Sequence, residues 1–144
     1  MVSEMYNKIG IALEGKAELD KKIIKGALPL IRALNPEIYL LHCVETATGR
    51  FIGDMVADKR AIEMEDYLKD FAEELKDQNI KTHTVLGGGE PEYELARIAK
   101  KEGLQLLVVG SHGHKGLKDI IYGSTINELR HRLRIPVLAI PVEQ

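Results

Sequence analysis

The sequence predicts one α/β domain over residues 1–144, a doubly wound five-stranded parallel sheet with helices on both faces. Three observations predict it. Short apolar runs alternate with stretches of helical periodicity along the whole chain. Most of the runs are continuously apolar, as strands buried on both faces must be, instead of alternating like half-exposed ones. The length, 144 residues with 44% hydrophobic and 29% charged, suits one sizeable core and falls short of two.

The elements follow in order. Ile9 to Leu13 reads as the first strand. Ala17 to Leu34 puts Ile23, Ile24, Ala27, Leu28, Ile31 and Leu34 at helical spacing, with Lys and Arg opposite, and Asn35-Pro36 stops it. Ile38 to Val44 is the second strand. After the irregular stretch Thr46 to Asp54, which reads as a mobile loop, Met55 to Gln78 presents Ile62, Leu68, Phe71 and Leu75 on one face. Ile80 to Leu86 alternates more and suits a strand near an edge. Pro91 to Lys101 opens with proline in the first turn, where its missing N–H costs nothing, and Gly103 ends it. Leu106 to Val109 is the fourth strand. A helix from near Ser124 to about Arg132 turns Ile126, Leu129 and Leu133 inward, and Val137 to Ile140 closes the sheet. Strict alternation with helical crossovers makes the sheet parallel.

Composition bounds the function. A net charge of -2 offers no global attraction for nucleic acid or an anionic membrane, so an anion site has to be built locally. The single cysteine, Cys43, lies in an apolar run and reads as a buried thiol; no internal disulfide is possible. The first residues lack the pattern of a secretory signal, and no uncharged apolar stretch approaches the ~18 residues of a membrane span. A cytoplasmic protein is the expectation, with neither nucleic acid nor membrane as partner.

In sheets of this class ligands bind beyond the carboxyl ends of the strands, where strand order reverses. That selects the loops Glu14 to Lys16 and Ser111 to Gly123. The second begins Gly110-Ser111-His112-Gly113-His114-Lys115-Gly116 and ends Gly123-Ser124-Thr125. Glycines let the backbone approach a ligand, successive N–H groups form an anion nest, and a helix opening at Ser124 and Thr125 favours a phosphate. From Gly110 to Arg134 five Lys/Arg face two acids, a local balance of +3. A tight turn followed by a capped helix accounts for much of the same composition, so both readings stand.

The spacing Gly110, Gly113, Gly123, Ser124 after a strand resembles the nucleotide motif of the universal stress protein family. Ile38 to Glu45, the turn Gly87-Gly88-Gly89-Glu90-Pro91 and the closing Pro136 to Pro141 are similar to the family's second strand, third-helix turn and last strand. The resemblance covers nearly the whole chain. It implies an adenine nucleotide α-hydrolase-like fold that binds ATP, with or without Mg²⁺. Phosphates and ribose would fall to Gly110, His112, Gly113, Gly123, Ser124 and Thr125, and adenine to Ala12, Leu13 and Ile38. Glu14 stands where the family usually has Asp near the ribose, and Gln105 where it often has Asp. The resemblance also implies a homodimer joined through Val137 to Ile140, an apolar strand suited to edge pairing.

Other constellations are weaker. His112 and His114 lack a third ligand nearby. His42 and His83 sit in strand patterns and read as edge or core residues. Gly113-His114-Lys115-Gly116 fits a GxxG loop of RNA-binding domains, but here it follows a strand instead of joining two helices. His112-Gly113-His114 has the wrong spacing for a nucleotidylyl transferase signature. There is no P-loop, and Gly87-Gly88-Gly89 completes no dinucleotide motif. Glu14 is the one acid placed at the cleft, a thin basis for an enzyme. Three functions are in view: a stress-response module regulated by nucleotide, a slow ATPase, and a dimeric interaction protein with a degenerate site.

Overall fold

The computed structural model describes residues 6–44, 53–112 and 127–142. The elements are β1 (Lys8–Ala12), α1 (Ala17–Leu34), β2 (Glu37–Val44), α2 (Gly53–Asp77), β3 (Thr82–Gly88), α3 (Pro91–Glu102), β4 (Leu106–Ser111) and β5 (Val137–Pro141). Residues 127–132 are helical as well. The start expected for that helix at Ser124, and most of the Thr46 to Asp54 stretch, lie outside the described residues. Gly53 and Asp54 already belong to α2, which opens two residues before the sequence expectation.

The sheet has five strands in the order β3-β2-β1-β4-β5. Every pairing is parallel. The chain lays β1, β2 and β3 outward in one direction, then crosses back to set β4 on the other side of β1. The order therefore reverses between β1 and β4.

Alternating strand residues feed two cores. Ile9, Ile11, Ile38, Leu40, Leu106 and Val108 pack with Ile23, Ala27 and Ile31 of α1 and with Leu68, Phe71 and Leu75 of α2. Tyr39, Leu41, Leu107 and Val109 point the other way, onto Leu95, Ile98 and Ala99 of α3 and onto Leu129. A strand that serves two cores has no polar face to show, hence the continuous runs. The outer strands differ: β3 and β5 each expose part of their length, as edges do.

Helix ends follow local chemistry. α1 stops at Asn35, which adopts the left-handed conformation (φ 51°) and donates its N–H to the Ile31 carbonyl. Pro29 lies inside α1 on its exposed side, so the carbonyl it leaves without a helical donor meets water. α3 carries Pro91 in its first turn and ends on Gly103 at φ 70°.

Candidate functional site

β1 runs out at Ala12, but its pairing with β2 persists one step further: Leu13 N–H donates to the Leu41 carbonyl at 2.7 Å. The chain then turns through Glu14 and Gly15, the latter at φ 84°. Asp20 holds this turn. Its carboxylate accepts Glu14 N–H at 2.7 Å and Gly15 N–H at 2.9 Å. It also accepts the Tyr67 hydroxyl of α2 at 2.6 Å. Asp20 is wholly buried. A carboxylate in that position survives because charge-assisted hydrogen bonds replace its water. Burial, then the hydrogen bond to Asp20, push the Tyr67 phenol well above the usual tyrosine range, so it stays a proton donor.

Across the strand-order reversal, β4 delivers Gly110, Ser111 and His112. His112 Nε2 donates to Glu14 Oε2 at 2.7 Å, joining the carboxyl ends of β1 and β4. Both side chains are less than a fifth exposed. Glu14 Oε1 is buried and finds no partner among the described residues. His42, buried, sets its Nδ1 2.8 Å from the Leu13 carbonyl, an arrangement that needs the proton on Nδ1.

A cavity of about 400 Å³ opens at the carboxyl ends of β1 and β2, walled by Ala12, Leu13, Glu14, Leu41, His42, Cys43, Arg60, Pro91 and Leu95. Of the expected site residues, Ala12, Leu13 and Glu14 line it. Gly110 and His112 stand beside it through Glu14. Gly113, Gly123, Ser124 and Thr125 lie outside the described residues, as does His114. Ile38 is corrected: it is fully buried at the amino end of β2, in register with Ile9 and Thr82. A residue that begins a strand sits at the opposite edge from a crevice at the strand ends. On β2 it is Leu41, His42 and Cys43 that line the cavity.

Cys43 also departs from expectation, being half-buried at the cavity wall instead of fully enclosed. Burial, then the charge of Glu94, push its thiol up to about 12, so it lines the cavity as a neutral group and is no nucleophile. His83 lies on the edge strand β3, bonded to Glu37 at 2.9 Å and stacked against Tyr39, far from the cavity along the strands. Among the described residues no group of three His, Cys, Asp or Glu side chains is arranged to hold a metal ion. No helix among them is long and apolar enough to cross a membrane.

Sequence reasoning missed Asp20 and Arg60. Asp20 had a signal: it lies three and four residues before Ile23 and Ile24, on the inward stripe of α1, where a charge needs an explanation. Arg60, exposed on α2, had none.

The family model described as the universal stress protein family matches residues 5–141. Universal stress protein A homolog 2 of Coxiella burnetii is 30% identical over 145 residues, 96% of this chain and 97% of its own. The solved structure of MJ0577 superposes with a TM-score of 0.74 at 25% identity, over 95% of this chain and 96% of that one. A universal stress protein in complex with cAMP superposes with a TM-score of 0.69 at 16% identity, over 96% and 98% of the two chains. With the family model spanning nearly its whole length and a close-length relative at 30% identity, this chain belongs to the universal stress protein family.

Proposed function

We infer that this protein binds an adenine nucleotide at the carboxyl edge of its sheet and works as a regulatory module whose state follows occupancy. The observation that carries the reading is the cavity of about 400 Å³ at the ends of β1 and β2, beside the reversal between β1 and β4. Its volume lies within the range of roughly 300–1,000 Å³ usual for small-molecule sites. Its walls suit a base with a sugar attached. Ala12, Leu13, Leu41, Pro91 and Leu95 offer apolar surface, while Glu14, His42 and Arg60 offer polar groups. ATP extends from there toward Gly110 and His112, and the sequence that follows, Gly113 to Thr125, carries glycines and hydroxyls that suit phosphates. A family structure solved with cAMP supports the choice of adenine.

Among the described residues Glu14 is the one carboxylate at the cavity wall, and a nucleotide-borne Mg²⁺ typically takes one or two carboxylates along with the phosphates. When bound, the ion would neutralise phosphate charge. Glu14 is committed on one oxygen to His112, and among the described residues no second acid stands beside it in the wall. A slow ATPase therefore remains the weaker reading.

The Glu14–His112 bond favours a second reading. It spans the crevice that a ribose or phosphate would enter, which suits a degenerate site in a dimeric interaction protein. The edge strand β5, Val137–Pro141, is the surface for that dimer.

Calorimetric titration of nucleotide-free protein with ATP and Mg²⁺, AMP and GTP separates the readings. Saturable ATP binding, tighter than AMP and lost in Gly123→Val/Ser124→Ala, is the expected result. No heat with any nucleotide, together with a dimer by sedimentation, would establish the second reading.

A further inference from the structure

Four residues, Tyr67, Asp20, Glu14 and His112, are linked in one series of hydrogen bonds that passes through the backbone of the Glu14–Gly15 turn. Tyr67 of α2 donates to Asp20 of α1 at 2.6 Å. Asp20 takes the backbone N–H groups of Glu14 and Gly15 at 2.7 and 2.9 Å. The Glu14 side chain then takes His112 of β4 at 2.7 Å. Of these, only Glu14 lines the cavity. Asp20 is wholly buried and unable to touch a ligand. The Glu14 carboxylate hangs from a turn whose two N–H groups have Asp20 as their anchor, and Asp20 is held against α2 by one phenol.

We propose that Asp20 and Tyr67 are positioning residues for this site, setting its affinity by fixing the Glu14 carboxylate from α1 and α2 without contacting the ligand. The Glu14 carboxylate, with Oε2 on His112 and Oε1 buried without a partner among the described residues, is the group so positioned. A buried acceptor is worth most when it is aimed in advance, because the ligand then spends no free energy ordering it. The coupling is reciprocal. A ligand that engages Glu14 steadies α2 through Tyr67, and α2 also contributes Arg60 to the cavity wall. Occupancy thereby gains a route to the outer surface of the molecule.

Tyr67→Phe tests this with little risk to folding. It keeps the ring and its edge contact with Phe71 at 5.1 Å, and Asp20 keeps both backbone donors. The affinity arm rests on the nucleotide reading: ATP is titrated into wild type, Tyr67→Phe, Glu14→Gln and the double variant. A loss of about fivefold is expected for Tyr67→Phe alone, and no further loss when Glu14 is already Gln, as for residues that act through one another. Independent losses in the double variant, or no loss in either single one, overturn the proposal. The second arm needs no nucleotide. The ring ¹⁵N shifts of His112 report its bond to Glu14. Tyr67→Phe is expected to move them part-way toward those of Glu14→Gln, and shifts identical to wild type overturn the proposal. If wild type binds no ATP, the nucleotide reading fails and the His112 signal alone decides the positioning claim.

Discussion

A methyl group on Gly110 would come within 2.8 Å of Glu14 Oε2 and 2.9 Å of Ile23 Cδ1. Contacts that short force a neighbour to move, and overpacking of this kind costs about 1–3 kcal/mol. Both contacts have to be relieved: Ile23 is fully buried in the core under α1 and yields little, and the Glu14 carboxylate has to shift as well. Gly110→Ala is therefore expected to lose about 1–3 kcal/mol in chemical denaturation and to weaken the Glu14–His112 bond. Unchanged stability would mean that both side chains yield freely and that the carboxylate is not held. The same residue explains a departure visible in the sequence. Glu14 stands where the family usually has a shorter Asp, and in this structure the longer side chain reaches His112 on β4 at 2.7 Å. Reading the sequence located Glu14 at the cleft through its place after the first strand. Its partner lies 98 residues away and belongs to a segment selected for phosphate contact, so the bond between them was not legible.

At the scale of elements, Gly103 isolates one effect. It ends α3 at φ 70°, donates its N–H back into the last turn, and has open space where a Cβ would go. Gly103→Ala thus changes backbone strain alone and is expected to cost about 1 kcal/mol in denaturation midpoint experiments. A neutral result would mean that the end of α3 frays at no cost. Elements of this kind were legible because their signals are local. Gly103 and Asn35 mark the two helix ends that the sequence assigns to them, and Pro91 opens α3 as expected. The strands were legible because three of them serve two cores and so read as unbroken apolar runs. Less legible were features fixed by tertiary approach. Whether Ile38 or Cys43 meets a ligand depends on which edge of the sheet the crevice opens from, and the apolar run from Ile38 to Val44 is alike at both ends. Pro29 within α1 breaks a local rule, and exposure to water makes the breach tolerable. Asp20 breaks another, and its three donors are the reason it is tolerated.

For the molecule as a whole, four displaced titrations bound the pH range over which the fold is firm. On the acid side, the Arg97 guanidinium, then the Gly88 N–H, hold Glu94 below its ordinary 4.5. Hydrogen bonds from His83 and Lys81 do the same for Glu37. A carboxylate lowered in the folded state contributes stability above its unfolded value, and that stability is lost as pH falls through the folded one. On the alkaline side, Cys43 is raised from 9.0 to about 12, mainly by burial. Tyr67 is raised above its ordinary 10.0 by burial and by Asp20. A group raised in the folded state contributes below its unfolded value and loses that contribution as pH rises toward the folded one. Stability should then be flat between the carboxylate and thiol ranges and fall on both sides. Each proton sets a limiting slope of ~1.4 kcal/mol per pH unit, two groups act on each limb, and solvent screening of the partly exposed ones reduces their shifts and so narrows the pH window over which they contribute. Guanidinium denaturation from about pH 3 to about pH 11 measures both limbs. Cys43→Ala and Tyr67→Phe should each flatten the alkaline limb and leave the acid limb alone, whereas Glu37→Gln, at a carboxylate that bears on neither Cys43 nor Tyr67, should do the reverse. An alkaline limb equally steep in all three would assign the loss to lysine deprotonation across the surface and remove the buried donor of α2 from the account.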